Sequence, residues 1–325
     1  MQAPQFPRLI GDIGGTNARW ACQLAPDAPL TNIASYECAD FPSIEAAIEQ
    51  YLGSLGGARL QDMAIGVATA VTGDRVDFTN NTWGFSRQAL RARLGVGRLL
   101  VLNDFAALAL SLPRLGDDGL QALGTPRAEQ GASAAPAPIV IVGPGTGLGV
   151  AALAWQRDGL PLVISGEGGH STLAATDDRQ AAVLALLRRQ FEHVSAERVL
   201  SGPGMVNLYR ALCELDDHAP QHARAADITQ GAVEGRDPSC VETVQMFVAF
   251  LGSFAGNMAL TYGARGGAYI GGGIAPRLGT LLDATAFRAH FEGKGRLRSY
   301  LEGIPSALVT EPFPGLLGAA HALDL

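Results

Sequence analysis

Asp104 follows a short apolar run, Leu99–Leu102, and an asparagine, Asn103. A carboxylate at the carboxyl end of a buried strand stands where open α/β sheets form their ligand crevices. One carboxylate within hydrogen-bond reach of an attacking hydroxyl is enough to accept its proton. Asn103 beside it can both donate to and accept from hydroxyls. The competing reading is structural: Asp104 caps a helix over Ala106–Leu112. Near the start, Gly11-Asp12-Ile13-Gly14-Gly15-Thr16-Asn17 lies between Leu9-Ile10 and Ala18-Arg19-Trp20-Ala21-Cys22. Two adjacent glycines between apolar β-formers predict a tight turn between strands, with backbone N–H groups open to an anion such as phosphate. Thr16 and Asn17 add side-chain donors. Asp12 adds a carboxylate whose charge a metal ion or its waters would make tolerable beside phosphates. A glycine pair alone also makes an ordinary hairpin; the Asp before it and the Thr-Asn after it point to phosphate. No GxxxxGK[ST] loop occurs, and the single lysine of the chain is Lys294.

These residues need a scaffold. Leu9–Gly11, Arg19–Leu24 and Ile33–Cys38 read as an antiparallel meander. Ser43–Leu55 reads as a helix capped by Ser43, with Ile44, Ala47, Ile48, Tyr51 and Leu52 on one face. Met63–Ala68 and Leu99–Leu102 read as strands. Val76–Phe78 and Phe85–Ser86 flank a polar turn at 79–83, and Ser86–Leu94 is helical. This order predicts a mixed α/β domain. Thr125–Pro138 reads as a loop. The pattern then restarts: Ile139–Val142, the turn Gly143–Gly149, and Val150–Trp155. A repeated strand–glycine turn–strand unit predicts two related domains. Helices are expected at Gln180–Phe191, Ser195–Leu200, Met205–Leu215, Asp227–Val233 (Asp227 as cap), Cys240–Tyr262, Leu278–Asp283, Thr285–Phe291 and Pro314–Leu323. Strands are expected at Ala268–Ile270 and Leu308–Thr310.

The chain has 325 residues, 47% hydrophobic and 17% charged, enough for two folded domains. The expected boundaries are 1–115 plus 308–325 for one domain and 116–307 for the other. A net charge of −7 without a basic block argues against a nucleic-acid partner. No apolar run is read as long enough to span a bilayer, and the first eight residues lack the pattern of a secretion signal. Cys22, Cys38, Cys213 and Cys240 are scattered without CxxC spacing, which predicts reduced thiols in a cytoplasm and no zinc site.

Taken together, GDIGGTNAR at 11–19, TNNTW at 79–83, NDF at 103–105, GPGTGLG at 143–149, GEGGH at 166–170, HVSAERVLSGPG at 193–204, GGGI at 271–274 and PGLLGAA at 314–320 resemble the bacterial ATP-dependent glucokinases of the hexokinase/actin-like ATPase superfamily. The resemblance covers nearly the full length. Two positions depart from it: Ala70, where the family often has proline, and Asn81, where it often has histidine. The resemblance implies two mixed-sheet α/β domains of ribonuclease H-like, actin-like ATPase type flanking a cleft. It implies transfer of the γ-phosphoryl of ATP, carried with Mg²⁺, to the 6-hydroxyl of glucose. Asp104 would be the base. Asn103, Asp104, Glu167, His170 and Glu197 would hold the sugar. Gly11, Asp12, Gly14, Gly15, Thr16, Asn17, Gly145, Thr146, Gly147 and Gly272 would cradle the nucleotide, with no metal ligands among the protein side chains. A homodimer is also implied. Rivals are a kinase for mannose, fructose or an N-acetylhexosamine, a bare ATPase, and a sugar-sensing regulator. The last would need an N-terminal DNA-binding module and a CxCGxxGC cluster, neither of which this sequence is expected to carry.

Overall fold

Strands β1 (Arg8–Ile13), β2 (Asn17–Gln23) and β3 (Thr31–Glu37) form the expected antiparallel meander in a computed structural model that describes residues 5–57, 59–78, 81–124 and 136–325. Positions 125–135 of the expected loop, and Thr79 and Asn80 of the polar turn, lie outside those residues. Helix α1 (Ile44–Ser54) starts where Ser43 accepts a hydrogen bond from Ala46 N–H, and it buries Ile44, Ala47, Ile48 and Tyr51. Then come β4 (Asp62–Val67), the small hairpin β5 (Arg75–Asp77) and β6 (Gly84–Ser86), α2 (Arg87–Leu94) capped by Ser86, β7 (Arg98–Asn103) and α3 (Asp104–Ser111). The sheet order is β3-β2-β1-β4-β7, with β1, β4 and β7 parallel.

The second sheet contains β8 (Leu120–Ala122), β9 (Ile139–Pro144), β10 (Leu148–Trp155) and β11 (Pro161–Gly166). Helices α4 (Asp178–Leu187), α5 (Gly202–Leu215), α6 (Ala225–Glu234) and α7 (Pro238–Tyr262) follow. Strand β12 (Gly267–Ile270), helices α8 (Ala275–Leu278), α9 (Ala284–Glu292) and α10 (Arg298–Glu302), and strand β13 (Ser306–Val309) complete this half. The sheet order is β11-β10-β9-β12-β13-β8. Apart from β8 it repeats the first: an antiparallel meander whose leading strand is followed by two parallel neighbours. The sequence echo between the two glycine turns therefore reflects a repeated topology. The last helix, α11 (Pro314–Ala322), packs on α3 and β1 of the first sheet.

Two compact units result, Met1–Gly116 with Glu311–Leu325, and Asp117–Thr310. The return to the first unit falls later than position 308, because β13 pairs in parallel with β12. Other expectations also shift. Asp227 is not a cap; it lies inside the first turn of α6, paired with Arg224 at 2.7 Å. Leu278–Asp283 contains only a 3₁₀ turn, Gly279–Leu281, because α8 ends at Leu278 before Gly279, whose φ of 53° lies in the left-handed region. Ser195–Leu200 contains only a 3₁₀ turn, Ala196–Arg198. Contrary to the reading of the sequence, one helix among the described residues, α7, is long and apolar enough, by length and composition alone, to cross a membrane; 78% of its apolar window is buried in the fold.

Candidate active site

In the first unit the turn between β1 and β2 runs from Gly14 to Asn17. It is closed by Gly14 N–H donating to Asn17 O at 2.8 Å. Cys38 N–H donates to Thr16 O at 2.7 Å and the Asn81 amide to Gly14 O at 3.4 Å, so the turn is tied to its neighbours from both sides. Thr16 is exposed at the tip. A cavity of about 280 Å³ opens here, lined by Gly15, Thr16, Glu37, Cys38, Asn81 and Thr82 among others. Gly11, which the resemblance counts with the nucleotide cradle, lies in the first strand as the sequence reading had it. It sits within β1, where a Cβ would lie 2.7 Å from both Ile65 and the Trp20 ring, so its missing side chain makes room for the indole.

Asp12 and Asp104 come together across Gly66 of β4. A Cβ on Gly66 would lie 3.7 Å from Asp104 Cα and 4.0 Å from Asp12 Oδ1. Asp12 also abuts the first turn of α11, since a Cβ on Gly315 would be 2.8 Å from its Cγ. A carboxylate is favoured at a helix N-terminus. Burial still raises the Asp12 pKa, opposed by the Arg19 guanidinium, which donates to Asp12 Oδ2 at 3.3 Å. The Asp104 carboxyl is pushed up to about 6, first by burial and then by the Asp12 charge, against hydrogen bonds from Phe105 N–H and the Asn103 side chain.

The helix cap at this site is Asn103, not Asp104. Asn103 Oδ1 accepts from Phe105 N–H at 3.0 Å and from Ala106 N–H at 3.3 Å. That commits the Asn103 oxygen to α3 and leaves its amide as a donor; the amide reaches Thr69 O at 3.4 Å. Asp104 occupies the first helical position, with its carboxylate accepting from Phe105 N–H at 2.9 Å.

In the second unit, Gly145 N–H closes its turn on Gly147 O at 2.8 Å, and Thr146 is exposed at the tip. Glu197 holds this turn: its Oε2 accepts from Leu148 N–H at 2.9 Å. A Cβ on Gly147 would lie 2.5 Å from that oxygen, so a side chain here would push the Glu197 carboxylate off the turn. Gly202 N–H donates to Gly145 O at 2.8 Å, which joins the turn to the start of α5. Gly272 combines a left-handed φ of 76° with contact against β9, where a Cβ would be 2.5 Å from Pro144 O. The other carboxylate oxygen of Glu197 faces His170, Oε1 to Nε2 3.9 Å. His170 is set by a 3₁₀ turn, Gly168–His170, which the backbone bond from Ala196 N–H to Ser171 O (2.9 Å) pins beside Glu197. Glu167 is exposed at the head of that turn.

The structure thus gathers Asp12 and Asp104 with the first turn in one unit. It gathers His170, Glu197, Gly145, Gly147 and Gly272 in the other. Sequence reasoning missed Gly66, which carried no signal of its own. It also left Gly315 without a role, although PGLLGAA contains it.

Residues 9–325 match the Glucokinase family model. A glucokinase from Aromatoleum aromaticum is 47% identical over 322 residues, covering 98% of this chain and 95% of that one. One from Chromobacterium violaceum is 44% identical over 320 residues, covering 98% and 90%. Among solved structures, a glucokinase from an Antarctic psychrotroph superposes with a TM-score of 0.89 at 37% identity, covering 98% of this chain and 99% of the other. The two mixed sheets are those of the actin-like ATPase fold, and the chain belongs to the glucokinase family.

Proposed function

We propose that this glucokinase transfers the γ-phosphoryl group of ATP to the 6-hydroxyl of glucose, giving glucose 6-phosphate and ADP, with Asp104 as the base. The observation that carries the base assignment is the Asp104 carboxyl, half-buried just past the end of β7, beside Asp12 and pushed up to about 6. A base poised there is ionised at neutral pH yet basic enough to take a hydroxyl proton as the new bond forms. Phosphoryl transfer otherwise asks for positioning and charge stabilisation.

The exposed tips at Thr16 and Thr146 and the backbone N–H groups of the two hairpin turns suit phosphate oxygens. Gly272 suits close approach of the rest of the nucleotide. Two neighbouring half-buried carboxylates, Asp12 and Asp104, fit a divalent cation better than they fit each other. Asp12 would hold Mg²⁺, directly or through its waters, and Mg²⁺ when bound neutralises charge on the transferring phosphate. The Asn103 amide, the outer oxygen of Glu197, His170 and Glu167 supply donors and acceptors for sugar hydroxyls. A site built this way rejects an analogue that lacks one hydroxyl, because a polar group is then left unpaired.

We also read the enzyme as a cytoplasmic homodimer at the entry to glycolysis. Four free, buried cysteines suit a reducing compartment. Exposed Leu162 and Ile164 on the edge strand β11 offer apolar surface for a second copy. A coupled assay across hexoses and nucleotide donors tests the central reading. Glucose with ATP should give the highest kcat/KM; a higher value with mannose, fructose or an N-acetylhexosamine would reassign the acceptor.

A further inference from the structure

Three side chains of the second unit that the proposed kinase site does not use meet at the start of α7. Asp237 caps α7 with one carboxylate oxygen: Oδ1 accepts from Ser239 N–H at 2.9 Å and Cys240 N–H at 3.3 Å. The other oxygen faces a different set of groups. Oδ2 lies 3.5 Å from His222 Nε2, 3.2 Å from Cys240 Sγ and 3.2 Å from the Tyr209 hydroxyl. The imidazole nitrogen, the sulfur and the carboxylate oxygen all lie within 4.8 Å of one another. Cys240 is buried, whereas the His222 and Asp237 side chains are 29% and 27% exposed, so water reaches the group. Helix α6 passes over it at Gly231, where a Cβ would lie 2.8 Å from Cys240 Sγ and 3.6 Å from His222 Nε2. The Tyr209 ring, 5.6 Å from the His222 ring, and the bond from Gln221 N–H to its hydroxyl at 3.2 Å hold the histidine in place.

We propose that His222, Asp237 and Cys240 form a binding site for a borderline-soft divalent cation of the zinc type, with water as the fourth ligand. Ligand atoms around tetrahedral zinc sit roughly 3.3–3.8 Å apart. The His222–Asp237 separation of 3.5 Å falls in this range and the Asp237–Cys240 separation of 3.2 Å lies just below it, while the His222–Cys240 separation, within 4.8 Å, adjusts as the ion binds. One nitrogen, one sulfur and one oxygen donor select zinc over magnesium. As the sulfur–metal bond forms, the thiol proton leaves to water. The thiolate and the carboxylate then balance the charge of the ion, while Asp237 Oδ1 keeps its cap on α7. The expectation of no zinc site rested on cysteine spacing. This cluster has only one cysteine and joins a loop after α5 to the start of α7, so no spacing pattern betrays it.

The test uses the untagged full chain, loaded with zinc chloride, passed into metal-free buffer and analysed for metal per chain. About one zinc per chain should be retained, with a higher Tm than the metal-free protein. Cobalt(II) loading should give a thiolate-to-cobalt charge-transfer band. Cys240→Ser should lose that band, and His222→Ala should lose retention. Gly231→Ala keeps all three donors and a helix-favouring residue but fills the space above them; it should weaken zinc binding at least tenfold while its metal-free circular dichroism stays that of the wild type. No retained zinc in the wild type, or equal retention in all three variants, overturns the proposal.

Discussion

Asp104 combines two tendencies that oppose each other. Its folded-state pKa of about 6 lies above the ordinary 3.8, because burial and the Asp12 charge disfavour the ionised form. The folded state therefore holds this proton more tightly than the unfolded chain. The cost to stability is absent below the ordinary pKa, grows as pH rises through this window, and is complete above about pH 6. Catalysis needs the opposite, the ionised carboxylate. Turnover should fall as pH drops through about 6, which a kcat–pH profile checks. Asp104→Asn should lower kcat by about 10²-fold or more, change the KM for glucose far less, and remove that acid limb from the residual activity. The same variant, freed of a desolvated charge, should melt at a higher temperature than wild type at pH 8 in a calorimetric scan. Near-normal turnover would return Asp104 to being only the first residue of α3. Asp104 could be found in the sequence because an apolar run precedes it. Its pairing with Asp12 could not, since the two meet only when β1 and β7 flank β4 and residue 66 of β4 has no side chain.

Helices show a similar division. The start of α1 was legible because Ser43 is a serine followed by apolar periodicity, and its hydroxyl accepts the expected N–H; Ser86, read only as the first residue of a helix, is in fact the cap of the mostly polar α2. Strands β8 and β11 were not legible. β11 lies at a sheet edge with most of its residues exposed, so no burial pattern marks it. The three-residue β8 is a strand only through its pairing with β13, far along the chain. Close packing between helices is equally silent. Gly318 of α11 faces α3 so tightly that a Cβ would overlap Ala107 O. Gly→Ala inside a helix ordinarily gains about 1 kcal/mol. Here Gly318→Ala should instead cost about 1–3 kcal/mol, because α3 and α11 must separate. Urea denaturation of that variant measures the sign, and a stabilised protein would mean that the helices slide apart freely. Moving α3 also moves Asp104, so its kcat should drop alongside.

The two sheets share one topology apart from β8, but the chain builds the two units differently. The second unit is built from an unbroken stretch, Asp117–Thr310, whereas the first needs both ends of the chain. Leu316, Ala319 and Leu323 pack against Ile10, Ala21, Ala64 and Ala107 in one apolar cluster. The fully buried Arg8 donates to Asp324 Oδ1 at 2.7 Å and to Leu323 O at 3.3 Å, and Arg98 donates to Leu323 O at 2.8 Å. Removing Glu311–Leu325 should therefore strip the first unit of its resistance to protease while a core from the second unit survives, as mass spectrometry of the digest would show.

Synthesis proceeds in one direction, and that gives the asymmetry a consequence in time. The ribosome makes the first sheet early, yet the helix that covers β1 and β4 emerges only after the entire second half. The half made second can finish folding first, while the half made first waits with an apolar face uncovered. Stalled nascent chains should show it: protection of the first sheet against protease should appear only once residue 325 has cleared the exit tunnel, and protection already present in chains ending at 310 would mean that α11 merely docks on a finished core.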